Sequence, residues 1–230
     1  MQLLRSIKIP VLSRTHLKLI ACLTMLIDHL CFVFFSGSAN AINVRLTIGR
    51  IAFPLFTFMI CEGFYYTRSR LRYCIQILLL FVVTEYIYDM AFYHRIYWKN
   101  QSVLLTLLLA LLMYCAMEKC EKYLILQLLI CAGFAAAAHY LHADYGHWGI
   151  IMCTALYFCR KIQLPDYVSA AISIIALIAG YGTYGAFLAV IFVFFYDNTR
   201  GHIGTAGKYL FYVFYPAHLL ILRLIYLAVH

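Results

Sequence analysis

The chain of 230 residues is 65% hydrophobic and 12% charged, with a formal net charge of +9, whereas soluble globular domains are about half apolar and about a quarter charged. This composition excludes water as the main solvent and leaves little length for a soluble domain. The basic excess lies at the ends of apolar runs rather than along one polar face, so it reads as membrane topology and not as a nucleic-acid footprint.

In chain order, the stretch MQLLRSIKIPVLSRTHLK is basic but has no small-residue cleavage site after a short apolar core, and it is expected to be retained. A membrane helix needs about 20 mostly apolar residues. Nine candidate runs follow, at 16–35, 44–66, 73–92, 101–117, 123–141, 146–160, 166–180, 182–196 and 208–229, the sixth, seventh and eighth being short. The connections, among them SGSANAIN, TRSRLR, EKCEK, RKIQLPD and DNTRGHIGTAGK, are brief and rich in Gly, Asn, Asp or charge. The pattern predicts an all-α polytopic membrane bundle, with residues 1–230 as one domain.

Positively charged loops stay in the cytoplasm. With the N-terminus inside, Arg5, Lys8, Arg14, Lys18, Arg68, Arg70, Arg72, Lys119, Lys122, Arg160, Lys161, Arg200 and Lys208 all fall on that side, and Arg95 and Lys99 fall outside. Arg45, Arg50 and Arg223 lie in or at the ends of spans. The nine cysteines are scattered through apolar runs with no CxxC pair, so they read as small hydrophobes, and neither a metal site nor a disulfide framework is expected.

An ionisable side chain in a bilayer costs a few kcal/mol unless it is paired or faces a wet cavity. The runs hold Asp28 and His29, Arg50 and Glu62, Glu85 and Asp89, and His218 and Arg223, while His139, His142, Asp144 and His147 gather near the outer end of the fifth and sixth. Asp28 and Arg50 flank a short loop at similar depth, which predicts either a buried ion pair or a working site. Glu62 is expected at the depth of Lys18, beside Arg68, Arg70 and Arg72. Lys18 and His29 are eleven residues apart, close to three helical turns, so they share a face about 16 Å apart along the axis. Such spacing suits a reagent with an anionic end and a reactive end, as in a nucleotide thioester; a lone hydrogen-bonded structural histidine is the alternative.

The blocks KLIACLTMLIDHL, GRIAFPLFTFMICEGFYYTRSRLRY, DYGHWG and GKYLFYVFYPAHLLIL, in that order over residues 15 to 227, closely resemble the TraX family of bacterial inner-membrane proteins. That family is named for a conjugation protein implicated in acetylating the N-terminus of a conjugative pilin. It is similar to the larger superfamily of transmembrane acyltransferases (acyltransferase-3-like), in which a basic residue precedes an essential histidine as Lys18 precedes His29, with Lys where Arg is common. The resemblance implies a shared pocket built from Asp28, His29, Gly49, Arg50, Pro54, Glu62, Gly63, Thr67 and Arg68, then Asp144 and Gly146, then Lys208, Tyr209, Tyr212, Tyr215, Pro216 and His218. Gly49 and Gly63 fit close helix approach and Pro54 fits a kink, functions that simple packing also explains.

The expected activity is acetyl transfer from acetyl-CoA to an amine or hydroxyl acceptor, whether a pilin or peptide N-terminus, a glycan or a lipid. His29 acts as general base, Asp28 or a neighbour orients it, Arg50 or a tyrosine stabilises the oxyanion, and His218 is the alternative base. Arg14, Lys18, Glu62, Thr67, Arg68, Arg70, Arg72, Lys208, Tyr209 and Tyr212 are assigned to the coenzyme, and Asp144, His147 and Tyr215 to the acceptor side. A competing reading is an ion- or proton-coupled transporter using Asp28, Arg50, Glu85, Asp89 and His218, although no matching halves are visible. A third is a non-catalytic pilus or envelope assembly factor. Acceptor identity and oligomeric state are left open by the sequence.

Overall fold

The computed structural model describes residues 11–199, 201 and 205–229, the side chains of 205–209 excepted. Arg5, Lys8, Arg200 and the side chains of Lys208 and Tyr209 therefore lie outside the described residues. Regular structure among the described residues is helical, apart from isolated bridges joining Leu12 to Tyr196 and Gln101 to Ala143. The helices are α1 (Arg14–Phe35), α2 (Ala39–Thr47), α3 (Ala52–Tyr66), α4 (Arg70–Phe92), α5 (Val103–Lys119), α6 (Leu124–Tyr140), α7 (Gly146–Lys161), α8 (Asp166–Tyr181), α9 (Ala189–Phe194) and α10 (Thr205–Val229). Four stretches are long and apolar enough to cross a membrane: Arg14–Phe35, Ala39–Tyr66, Arg70–Phe92 and Leu210–Val229.

Most predicted spans coincide with helices, and two need correction. The span at 44–66 begins earlier, with α2, and is broken by a 3-10 turn at Gly49–Ile51 before α3. Pro54 supplies the physical reason. It lacks an N–H to reach back to the Arg50 carbonyl and its ring crowds that carbonyl, so the chain tightens just upstream. The span at 182–196 is a 3-10 turn (Tyr184–Leu188) followed by the six-residue α9. Gly182, at φ +70°, has already ended α8 there.

The apolar pattern is turned outward. Leu19 and Leu23 on α1, Leu79, Val82 and Val83 on α4, and Ile221 and Leu224 on α10 are exposed, the reverse of a soluble amphipathic helix. At the centre stands α5, whose Leu107, Ala110, Leu111, Met113, Tyr114 and Met117 are buried. It packs against α3, α4, α6 and α7. The chain's ends close the bundle, as α10 packs on both α1 and α4.

Polar groups at the two ends of the bundle are tied to one another. Where α3 meets α4 and α5 meets α6, Arg70 pairs with Glu118 at 2.9 Å, and nearby Lys161 approaches Glu121 at 3.9 Å. At the opposite end, Glu85 of α4 accepts from the Ser102 backbone N–H at 3.0 Å and from its hydroxyl at 2.6 Å, capping α5. Asp89 accepts from the Tyr97 N–H at 2.9 Å.

Glu62 departs from expectation. It is fully buried, accepts from Arg14 Nε at 2.8 Å and from the Tyr196 hydroxyl at 2.6 Å, and so anchors the start of α1 and the segment after α9 to α3. Leu12 and Tyr196 are bridged alongside, and Val11 N–H donates to the Phe195 carbonyl at 3.0 Å. Its direct partners are thus Arg14 and Tyr196 rather than the arginines that follow it in sequence. Removing one partner of a buried pair strands the other charge and costs about 3–5 kcal/mol. Arg14→Ala is thus expected to lower the melting temperature in detergent markedly, and adding Glu62→Gln, which removes the stranded charge and still accepts from Tyr196, should recover most of the loss. An unchanged melting temperature for Arg14→Ala would contradict this anchoring role.

Candidate functional site

Between α1, the broken second span, α4 and the α6–α7 connection lies a cavity of about 190 Å³. Asp28, His29, Arg45, Arg50, Asp144 and Tyr145 give it a polar wall, and Phe53, Phe56, Tyr88, Phe92, Tyr181 and Tyr215 are among the aromatic residues that complete it. Charged groups concentrated in a largely apolar hollow are the usual mark of a ligand site.

His29 projects from α1, and its Nδ1 lies 2.8 Å from Nε2 of His218 on α10, the two rings being nearly parallel. The other ring nitrogen of His218, Nδ1, lies 2.7 Å from the Phe214 carbonyl oxygen. A carbonyl only accepts, so His218 Nδ1 carries the hydrogen and, in the neutral ring, Nε2 carries the lone pair. His29 Nδ1 must then be the donor to His218, which leaves the lone pair on His29 Nε2. Phe92 meets the His29 ring edge-on at 4.9 Å and Phe214 stacks on His218 at 4.8 Å, so the pair is held in place by aromatic packing as well.

Asp28 does not orient His29. Successive residues on a helix point about 100° apart, and Asp28 instead faces Arg45 of α2, with Oδ1 3.6 Å from Nε. The expected Asp28–Arg50 ion pair is likewise corrected. Arg50 lines the same cavity as Asp28, but its direct partner is Tyr145, to whose hydroxyl Nη1 donates at 3.2 Å. Arg45 also lies over the Phe32 ring, 4.4 Å from its centroid.

Gly49 is what lets α1 come so near. A Cβ there would stand 2.8 Å from the Asp28 Cβ and would overlap its carboxyl group. Gly63 similarly faces the Tyr73 hydroxyl, 2.7 Å from where a Cβ would be. Both glycines thus mark close approaches, as their positions in the sequence led us to expect.

The HADYGHWG segment is strained, with His142, Tyr145 and Gly146 all at positive φ. Asp144 accepts from the Tyr145 N–H at 2.9 Å, and the Asp144 carbonyl accepts from the Thr106 hydroxyl. Burial pushes the Asp144 carboxyl up to about 6, with Arg50 pulling the other way.

The predicted site residues thus divide. Asp28, His29, Arg50, Asp144 and Tyr215 line the cavity, and His218 joins it through His29. His147 does not line it; the ring packs against His139 and Trp148. Arg14 and Glu62 are bound to each other, Tyr212 packs against the main core, and Lys18 lies over the Phe211 ring at 5.2 Å. Thr67 caps the α3–α4 turn, its hydroxyl 3.3 Å from the Ser69 carbonyl, while Arg70 also donates to the Thr67 carbonyl at 2.7 Å. Arg68 and Arg72 are exposed. Arg45 and Tyr145 were missed as site residues. Arg45 could have been flagged as a cation inside a span, and Tyr145 as an aromatic directly before the glycine of DYG.

Gly49→Ala must push α1 from the second span or displace Asp28. Overpacking of this kind costs about 1–3 kcal/mol, so the variant is expected to melt several degrees lower in detergent and, if acetyl transfer occurs here, to lose most of it. Wild-type melting behaviour would contradict the packing described.

Comparison with known proteins gives three findings. A protein-family model described as "TraX protein" matches residues 13–226. The probable fimbrial assembly protein FimC, serogroup H1, of Dichelobacter nodosus is 29% identical over 234 aligned residues, covering 91% of this chain and 94% of its own. No solved structure matches.

Proposed function

This chain belongs to the TraX family, and on that premise we propose that it is a membrane-embedded acetyltransferase that moves an acetyl group from acetyl-CoA to an amine or hydroxyl acceptor in pilus or envelope assembly. The acceptor is a pilin or peptide N-terminus, a glycan or a lipid. The observation that carries the reading is the Phe214 carbonyl–His218–His29 chain, which presents a lone pair on His29 Nε2 at a cavity holding Arg50.

The chemistry requires a base because neutral hydroxyls and protonated amines are poor nucleophiles, and an imidazole nitrogen with a free lone pair can take up the proton. His29 Nε2 takes the acceptor's proton as the acceptor attacks the thioester carbonyl carbon. The hydrogen bond from His29 Nδ1 to His218 fixes the ring and shares the developing positive charge. Collapse of the tetrahedral intermediate breaks the carbon–sulfur bond, and His29 returns the proton to the departing thiolate.

We place the chain in the bacterial inner membrane as a multi-span bundle with the N-terminus cytoplasmic, within the transmembrane acyltransferase superfamily. The one-sided distribution of Lys and Arg supports that orientation. Acetyl-CoA then approaches from the end bearing Arg68 and Arg72, which are exposed and able to meet phosphates. Lys18 stands on α1 between that end and His29, about 16 Å from the histidine along the helix axis. Arg70 contributes less than the sequence implied, being engaged with Glu118.

The name of the Dichelobacter relative also supports a non-catalytic assembly role. In such a protein the ordered histidine pair would have no chemical task. For a proton or ion path, Glu85 is poorly available, since both its oxygens are engaged by Ser102.

The test is turnover of acetyl-CoA by the detergent-purified protein in the presence of amine and hydroxyl acceptors. His29→Ala is expected to bind acetyl-CoA and lose about 10²–10⁴ in kcat, whereas Arg68→Ala with Arg72→Ala is expected to raise KM with little change in kcat. Failure of the wild type to bind acetyl-CoA would overturn the enzyme reading and leave the assembly role.

A further inference from the structure

Tyr145 occupies a backbone conformation that a bulky residue adopts at a cost, with φ +61° and ψ −6° immediately before α7. The surroundings hold it there. Its ring lies flat on Phe53, centroids 3.9 Å apart and planes 8° from parallel, and Tyr181 closes the other side at 4.9 Å. Its N–H is taken by Asp144 and its carbonyl accepts from the Gly149 N–H at 3.0 Å. Only 6% of the residue is exposed, and it lines the cavity together with His29.

The hydroxyl has a defined polarity. Arg50 Nη1 lies 3.2 Å from the phenolic oxygen, and a guanidinium can only donate. The phenol's lone pair is therefore used by Arg50, and its own hydrogen is directed elsewhere. No acceptor for that hydrogen is found among the described residues. A hydroxyl group that accepts from a cation becomes a stronger donor, because the charge polarises the O–H bond along the chain.

We propose that Tyr145 is the oxyanion donor of the acetyl-transfer step, with Arg50 acting behind it. This rests on the acetyltransferase reading and deepens it. When the acceptor's nitrogen or oxygen bonds to the thioester carbon and its proton passes to His29 Nε2, the carbonyl π electrons move onto oxygen. That oxygen takes the Tyr145 O–H hydrogen bond, without transfer of the proton. The electrons return to re-form the carbonyl as the carbon–sulfur bond breaks, and the thiolate leaves with the proton from His29. Base and oxyanion donor thus stand on separate walls of one cavity, on α1 and on the α6–α7 connection.

Tyr145→Phe keeps the stack on Phe53 and deletes only the hydroxyl. Loss of one oxyanion donor costs about 10²–10³ in kcat, so the variant is expected to fall by that factor with acetyl-CoA affinity and melting temperature near those of the wild type. A ring-fluorinated tyrosine at 145, which preserves shape and makes the phenol more acidic, is expected to retain most of the turnover and serves if the Phe variant does not fold; a fluorinated variant with kcat reduced as far as a deletion would overturn the proposal. An active wild type with a Tyr145→Phe variant within about threefold of it in kcat also overturns the proposal and leaves the acetyltransferase reading standing. A wild type that binds no acetyl-CoA overturns both.

Discussion

Two imidazoles 2.8 Å apart join the first long helix of the chain to the last, and the polar interior is arranged around them. A ring nitrogen buried among apolar helices must be paired or face a polar hollow. His218 meets this condition through the Phe214 carbonyl, His29 through His218, and the remaining nitrogen of His29 is left to the cavity. The aromatic rings of Phe92 and Phe214 then exclude alternative orientations.

The same rule accounts for the other buried charges and separates structural from functional ones. Glu62 is used up by Arg14 and Tyr196 and Glu85 by Ser102, whereas Asp89 holds the Tyr97 N–H through one oxygen only. Glu62 and Glu85 each tie two segments and leave little capacity for a ligand. Around the cavity the pairing is looser. Asp28 and Arg45 stand 3.6 Å apart, too far for a good hydrogen bond, and Arg50 reaches only a phenol. Charges this loosely paired, gathered around one hollow, locate the site.

Much of this was legible in the sequence, for identifiable reasons. Helix positions followed from apolar runs broken by charged or glycine-rich loops, which is why α1, α4, α7 and α8 fall close to the runs at 16–35, 73–92, 146–160 and 166–180. His29 and Arg50 were found because an ionisable group in an apolar run stands out, Asp144 because it falls in a polar cluster at the end of a run, and Tyr215 only through the family resemblance. The pairings were not legible. Depth along a helix placed Arg50 opposite Asp28, but the direct partner of Asp28 is Arg45 and that of Arg50 is Tyr145. Glu62 was read with the nearest arginines in sequence, whereas its partner comes from 48 residues away. Tyr145 gives no periodic signal, since its placement depends on a left-handed residue within a loop.

The central claim is that the acyl group reacts inside this cavity, against His29. It is tested most directly by a structure of the protein with a non-hydrolysable acetyl-CoA analogue bound. The account predicts the acyl end in the cavity, with its carbonyl carbon in reach of a nucleophile that His29 Nε2 can deprotonate and the coenzyme's phosphates toward Arg68 and Arg72. An analogue bound with its acyl end elsewhere, the His29–His218 cavity unvisited, would contradict it.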